Sequence, residues 1–186
     1  LFRPVKPTDE GTLSEMLYSL SADSVRSRFF THTKTFPHKD VQHLTNIDYE
    51  QNLALVAVVP GSGGEEQIVA IGQYFLDPKT HSAEVAFIVQ DEWQLKGMGT
   101  ILLHYLAEIA MKRGVKQFSA KVLPQNKPML AVVNIGVDQI EDPAAGTATV
   151  GADALAVCLE LEADPDVIGA EGQDRAELLA DLGVSE

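Results

Sequence analysis

The stretch Ala83–Thr100, AEVAFIVQDEWQLKGMGT, constrains the fold more than any other part of the chain. It opens with an uninterrupted apolar run, Val85–Val89, which is typical of a buried β-strand. A polar loop follows and ends in Gly97 and Gly99, and a long amphipathic segment begins directly after them. This order of strand, glycine loop and helix N-terminus is suited to binding phosphate groups. Glycine allows close backbone approach, and the free N–H groups of the first helical turn point at the anion.

The loop differs from two common phosphate-binding motifs. No Gly-Lys-Ser/Thr follows the glycines, so the stretch is not a Walker A loop. Position 102 is Leu102, so the Gly-x-Gly-x-x-Gly fingerprint of dinucleotide-binding domains is incomplete. The remaining Gly-x-Gly indicates an anion site mainly because of the strand before it and the helix after it.

Val89–Gly99 resembles the signature of the GNAT superfamily of N-acetyltransferases, Gln/Arg-x-x-Gly-x-Gly/Ala after a central strand. Ser21–Phe30 is similar to the second-helix region of the protein-lysine acetyltransferases in that superfamily, and Asn126–Met129 resembles the start of its fourth helix. The resemblance covers residues 1–128. It implies an α/β fold with a mixed central sheet flanked by helices, acetyl-coenzyme A as co-substrate and an amine, such as a protein lysine, as acceptor.

The resemblance also implies a binding site for acetyl-coenzyme A. In the family, the strand backbone polarises the thioester carbonyl, the loop holds the pyrophosphate, and a residue before the fourth helix bonds the pantetheine arm. The matching residues here are Phe87, Ile88 and Val89 in the strand, Gln94, Leu95, Lys96, Gly97, Met98, Gly99 and Thr100 in the loop, and Asn126. Each also has a purely structural interpretation: core strand, solvated loop, and a loop asparagine before a proline.

Glu84 is the candidate general base. Strand alternation puts it on the face of Ala86 and Ile88, where apolar neighbours would partly desolvate its carboxylate. A lysine amine arrives mainly as an ammonium, since its reference pKa is about 10.4, and a base must remove a proton before transfer. Lysine acetyltransferases of this kind carry a glutamate in a corresponding Ala-Glu-x-Ala-Phe pattern. The alternative is a solvated glutamate at the start of a strand.

Periodicity and turn residues predict the remaining elements. They are an extended entry at 1–5, helices at 10–20, 21–30 and 40–47, an antiparallel meander at 53–59, 68–76 and 82–89, a helix at 98–113, and a strand at 117–123 parallel to the third meander strand. Phe29 and Phe30 are expected to pack into the core, and a role in a substrate groove is the secondary interpretation. The apolar run Met129–Ile135 is predicted as a further strand or a buried element of ambiguous type, with a strand at 154–161 and a helix at 174–182 after it.

The C-terminal third has a different composition. Residues 1–128 carry a net charge of −1 and residues 129–186 a net charge of −12, and no aromatic residue follows Phe118. Residues 127–186 resemble a fragment of the Obg-like ATPases of the GTPase fold, but Val137 stands where that family has Glu and the P-loop is absent. We therefore expect two segments, an incomplete N-acetyltransferase-like domain at 1–128 and an acidic segment at 129–186.

Charge and cysteine content narrow the function classes. The net charge of −13 without a basic stripe disfavours a nucleic-acid partner. The single Cys158 excludes a disulfide framework and the five histidines lack metal spacing, so we expect no metal and a reducing, cytoplasmic compartment. No apolar run reaches membrane-spanning length, and we expect no membrane partner. Because the first residue is Leu1, a larger parent chain is also expected.

Acetyl transfer to a primary amine is the function that these features favour. One alternative is an acyl-coenzyme A-sensing module of a larger metabolic protein, which would bind without transfer and would not need Glu84. Another is an inactive hybrid. No Tyr, His or Lys follows Met129 to protonate the leaving thiolate, so weak or absent transfer with residual cofactor binding is expected.

Overall fold

The structure, a computed structural model, describes residues 1–32, 35–115, 117–123 and 126–132, together with the backbone of 140–142 and 147–150. The helices in these ranges are α1 (Glu10–Ser19), α2 (Ala22–Phe29), α3 (His38–Thr45), α4 (Met98–Lys112) and α5 (Lys127–Val132). The strands are β1 (Phe2–Pro4), β2 (Asn52–Pro60), β3 (Glu66–Asp77), β4 (Ser82–Val89), β5 (Gln117–Lys121), β6 (Ile140–Asp142) and β7 (Thr147–Val150). The predicted α/β class with a mixed sheet and flanking helices is confirmed.

The strands form one sheet in the order β1-β2-β3-β4-β5-β7-β6. The predicted meander is confirmed, since β2, β3 and β4 pair antiparallel in sequence order. β5 lies parallel to β4, and α4 makes the connection between them. The strand–loop–helix unit identified in the sequence therefore lies in the middle of the sheet.

Each face of the sheet carries a separate apolar core. α4 covers one face with Leu102, Leu106 and Ile109, all fully buried against the strands. α1, α2 and α3 cover the other face, with Leu13, Leu17, Val25 and Val41 buried there. Because alternate strand residues face opposite sides, Val85 of β4 packs on the α4 side and Ile88 packs under α1–α3.

The predicted strand at Met129–Ile135 is wrong for its described part, because residues 127–132 form helix α5. Pro128 lies in the first turn, where its missing N–H costs nothing. The side-chain oxygen of Asn126 accepts a hydrogen bond from Met129 N at 3.2 Å, as a helix-capping residue does. Leu130 is buried, and Met129 and Val132 pack against the α4-side core. Periodicity could not separate a short helix from a strand in so short an apolar run.

The C-terminal part contains two strands that the sequence analysis did not predict. The stretch around 138–151 shows no strong pattern in sequence, yet β7 pairs with β5 and β6 pairs with β7, extending the sheet. The strand predicted at 154–161 and the helix at 174–182 lie outside the described residues. Among the described residues, none of the helices is both long and apolar enough to cross a membrane.

Candidate functional site

β4 and β5 separate after a short region of pairing. β4 pairs with β3 from Ser82 to Val89, but with β5 only from Ser82 to Glu84. Within the described residues, the second edge of β4 therefore has no neighbouring strand beyond Glu84. A wedge-shaped opening runs from there along the strand toward the glycine loop.

Strand geometry shows which backbone groups face this opening. Gln90 N donates to Val69 O on β3 at 2.9 Å, so the backbone groups of Ile88, two residues earlier, also point at β3. The N–H and C=O groups of Phe87 and Val89 point the other way, into the opening. Of the three strand residues predicted to contact the thioester through the backbone, Phe87 and Val89 have backbone groups that face the opening, whereas those of Ile88 face β3 and its side chain packs in the core under α1–α3.

The glycine loop forms the expected helix N-terminus. Gly97 has a φ of 80° and precedes α4, and the first helical hydrogen bond runs from Ile101 N to Gly97 O. The N–H groups of Gly97, Met98, Gly99 and Thr100 consequently have no acceptor within the helix. A Cβ on Gly99 would lie 3.5 Å from Val132 of α5, so α5 packs closely beside this turn.

The opening and the loop belong to one cavity of about 590 Å³, a volume typical of small-ligand sites. The sequence-predicted residues that line it are Glu84, Phe87, Ile88, Val89, Gln94, Leu95, Gly97, Met98, Gly99, Thr100 and Asn126. Lys96 does not line the cavity. Its Nζ lies 5.3 Å from the centroid of the Trp93 ring, a cation–π contact.

The side chain of Gln94 has a structural role that the motif does not indicate. Its side-chain nitrogen donates to Val89 O at 3.0 Å and to Ser24 Oγ at 2.8 Å. Asp91, in the same connection, accepts hydrogen bonds from Ser21 N at 2.9 Å and from Ser24 Oγ at 2.8 Å. The loop after β4 is thereby fastened to the N-terminus of α2. Burial acts to raise the pKa of Asp91, but the hydrogen bonds from Ser21 and Ser24 outweigh it and lower that pKa below its ordinary value.

Glu84 lies where β4 and β5 part, with 43% of its side chain exposed. Its Oε2 is 3.2 Å from Nζ of Lys121 on β5. The sequence-based interpretation of Glu84 as a partly desolvated base stays a prediction, since its side chain is half-buried and pairs with a lysine. The lysine was not foreseen, because the predicted pairing of 117–123 with the third meander strand did not fix the register of the two strands.

α2 supplies a cavity wall that residue-level reasoning also missed. Ser24, Ser27, Arg28 and Phe30 line the cavity from this helix and its C-terminal end. Phe29 packs against the core as predicted, but Phe30 is 47% exposed and ends α2 in a left-handed conformation, so its predicted core position is wrong. An aromatic pair at adjacent helical positions cannot put both rings on one face.

Comparisons with known proteins agree with this geometry. The model of the "Acetyltransferase (GNAT) family" matches residues 19–136, which is more than half of the chain. The "Acetyltransferase PA5475" of Pseudomonas aeruginosa is 27% identical over 129 residues, covering 69% of each chain. The "Acetyltransferase Pat" of Mycolicibacterium smegmatis is 29% identical over 134 residues, 71% of this chain and 39% of that protein.

A solved structure gives the same result. The GNAT domain of S. lividans PAT superposes with a TM-score of 0.67 at 30% identity, over 80% of this chain and 87% of that one. The comparisons in sequence and in fold thus agree with the geometry of the site. That geometry consists of a strand that separates from its parallel neighbour, an exposed helix N-terminus and a cavity that joins them. This chain belongs to the acetyltransferase (GNAT) family.

Proposed function

We propose that the chain transfers an acetyl group from acetyl-coenzyme A to a primary amine, with a protein lysine as the acceptor class. The observation that carries this proposal is the unpaired edge of β4 beside the N-terminus of α4. Members of the family use acetyl-coenzyme A. The lysine assignment depends on the resemblance of residues 21–30 to lysine acetyltransferases.

The described residues fit the two ends of that co-substrate. The unbonded N–H groups of Gly97, Met98, Gly99 and Thr100 can receive the pyrophosphate, since a helix N-terminus favours anions. Val89 and Phe87 offer backbone groups for the pantetheine arm, which would run along β4 toward Glu84. At about 3.3 Å per residue, the distance from Val89 to Glu84 along the strand is roughly 17 Å. Asn126 caps α5 with its side-chain oxygen, and its side-chain nitrogen can face the arm.

Two steps of the transfer have a candidate group in the cavity, the polarisation of the thioester and the deprotonation of the amine. A backbone N–H of β4 polarises the thioester carbonyl and stabilises charge as it develops on the oxygen. Glu84 accepts the proton that the ammonium must lose, directly or through water, and the neutral amine forms a C–N bond while the C–S bond breaks. The thiolate leaves with the bonding electron pair, and the surplus proton of the attacking nitrogen passes to it through solvent, which leaves a neutral amide and a thiol. No residue of the described chain is assigned as its acid.

Replacing Gly99 by Glu tests the cofactor site. A Cβ at this position fits, since the nearest atom would be 3.5 Å away, so we expect the variant to fold. The added carboxylate would stand beside the free N–H groups and repel the pyrophosphate, which should abolish acetyl-coenzyme A binding in calorimetry. Gly99→Gln is the matched control for size without charge, and a smaller loss is expected. Unchanged affinity in a folded Gly99→Glu protein would contradict the assignment.

Three other expectations stay predictions. An acyl-coenzyme A sensor would bind the cofactor without needing Glu84, and the Glu84 variant discussed below separates it from an enzyme. The other two are the domain division at 128/129 and a cytoplasmic location. The resemblance of residues 127–186 to Obg-like ATPases finds no support in the relatives described above and is not proposed.

A further inference from the structure

Arg28 is held in an unusual environment. Its Nη2 donates one long hydrogen bond, 3.4 Å, to Gln73 Oε1. Its Nε is excluded from solvent and has no hydrogen-bond partner among the described residues. Burial lowers the pKa of Arg28 to about 10, an effect that the nearby Glu84 carboxylate opposes. Arg3, by contrast, is paired with both Asp9 and Glu66.

The Arg28 guanidinium lies in the wall of the cavity at the proposed acceptor end. Arg28 and Glu84 both line the cavity. Gln73, which Arg28 contacts, is opposite Ala86 on β4, and Ala86 shares its sheet face with Glu84. Arg28 therefore faces the same side of the sheet as the candidate base, whereas the glycine loop receives the cofactor at the other end of β4.

Three carboxylates and two cations line the cavity, but none of the carboxylates forms an ion pair with Arg28 among the described residues. Glu84 forms its ion pair with Lys121, and Asp23 is exposed in the first turn of α2, one turn or more before Arg28. Asp91 also lines the cavity, but its carboxylate is bonded to Ser21 and Ser24 at the start of α2. Arg28 is seven residues farther along than Ser21, roughly 10 Å along the helix. The Arg28 guanidinium carbon lies 5.2 Å from the centroid of the Phe29 ring, a cation–π contact, but the guanidinium has no ion pair among the described residues. A bound anion would therefore be favoured here.

We propose that Arg28 binds a carboxylate on the acceptor, so that the preferred acceptor is an amine whose carrier also presents a carboxylate. The proposal rests on the proposed acetyl transfer and specifies its substrate class. The amine is directed to Glu84 and the carboxylate to the guanidinium, whose planar fork suits two carboxylate oxygens. The carboxylate can belong to a small amino acid or to an acidic side chain beside a protein lysine.

Acceptors in matched pairs test the proposal. One arm uses β-alanine, γ-aminobutyrate and ε-aminocaproate, each against its primary amide. The other uses lysine peptides with Glu beside the lysine, each against the Gln peptide. A charged hydrogen bond of this kind corresponds to a preference of roughly ten- to a hundredfold in kcat/KM for the carboxylate member. Preference in one arm identifies the source of the carboxylate, and no preference in either arm overturns the proposal.

Arg28→Met should remove this preference, and Arg26→Met is the matched control, because Arg26 is exposed on the same helix. Removing an uncompensated buried charge should leave the melting temperature equal or higher, so loss of preference would not reflect unfolding. Arg28→Lys, which keeps a charge without the fork, should retain a smaller preference. An equal fall in kcat/KM for both members of each pair would show that Arg28 acts through Glu84, and would overturn the proposal.

Binding measurements separate this proposal from the proposed reaction. Calorimetry of the same acceptor pairs against protein saturated with coenzyme A needs no turnover. A carboxylate preference that depends on Arg28, without acetyl transfer, would support the binding assignment and contradict the enzyme assignment. Transfer without any such preference would do the reverse. A preference for a dicarboxylic acyl-coenzyme A such as succinyl-coenzyme A, with none among acceptors, would place the carboxylate on the acyl group and overturn the proposal.

Discussion

At the scale of single residues, the proposed reaction assigns proton transfer to Glu84, whose carboxylate is about half exposed and forms an ion pair with Lys121. Glu84→Gln keeps the shape of the side chain and removes its capacity to accept a proton. We expect acetyl-coenzyme A affinity to be retained and kcat to fall by roughly two to four orders of magnitude. Stability should change little, since the lost ion pair with Lys121 is about half exposed. Steady-state kinetics across pH with a fixed amine would measure the effect.

Lys121→Gln separates the base from its ion pair. This variant removes the same salt bridge but keeps the carboxylate, so most of the turnover should remain. Equal losses in the two variants would mean that the ion pair, and not proton transfer, matters. Equal pH–rate profiles for wild type and Glu84→Gln would rule out Glu84 as the base.

Sequence-based prediction located the N-terminus of α4 because the residues that form it are adjacent in the chain. Gly97 and Gly99 stand next to the helix that they begin, so one sequence window contains the whole loop. Arg28 and Lys121 reach the site from elements far away in sequence, and their presence follows only from sheet register and helix packing. Gln94 shows a further limit of prediction from sequence. Its position in the motif does not indicate that its side chain donates hydrogen bonds to Val89 and Ser24.

At the scale of elements, α2 and the loop after β4 act as one unit. Asp91→Ala would remove the acceptor for Ser21 and Ser24, which hold the start of α2. We expect a loss of about 1 kcal/mol in unfolding free energy, small because the group is largely exposed. The acceptor KM should rise more than the acetyl-coenzyme A affinity falls, since α2 forms the acceptor wall. Urea denaturation and steady-state kinetics would measure the two effects, with Glu92→Ala as an exposed neighbouring control.

The same variant has a predictable pH dependence. Because the folded-state pKa of Asp91 is lowered, its contribution to stability is fully present above the unfolded pKa of about 3.9. It is lost as pH falls through the folded value. The stability difference between wild type and Asp91→Ala should therefore be constant near neutrality and shrink below about pH 4. A difference that persists undiminished in acid would mean that Asp91 does not act as a hydrogen-bonded carboxylate.

Sequence periodicity located α1–α4 and β1–β5 within a few residues, because each has a long apolar face or a buried run. It failed at α5, where the helix has fewer than two turns and the apolar run lacks the spacing of a helical face. Asn126 and Pro128 were the available signals for a helix start, as an N-cap and a first-turn proline. β6 and β7 are short, and their pairing depends on the sheet edge that β5 offers.

At the scale of the whole molecule, most of the net negative charge lies in the C-terminal part of the sequence, and the proposed co-substrate is itself an anion. Residues 151–186 contain ten acidic residues and one basic residue, so their removal would change the net charge from −13 to −4. The Debye length is about 30 Å at 0.01 M salt and about 8 Å at 0.15 M. If these carboxylates lie near the glycine loop, their repulsion of the coenzyme phosphates should therefore be strong only at low salt.

We predict that truncation after Val150 strengthens acetyl-coenzyme A binding several-fold at about 0.01 M salt, and that the gain nearly disappears at about 0.15 M. Calorimetric titrations at both salt concentrations would measure it, after circular dichroism has shown that the shortened chain is folded. A full-length variant with every Asp and Glu of 151–186 changed to Asn and Gln is the control, because it removes charge while keeping length. If the neutral full-length variant behaves like wild type while truncation alone strengthens binding at both salt concentrations, the segment obstructs the cavity sterically, and the electrostatic explanation is wrong.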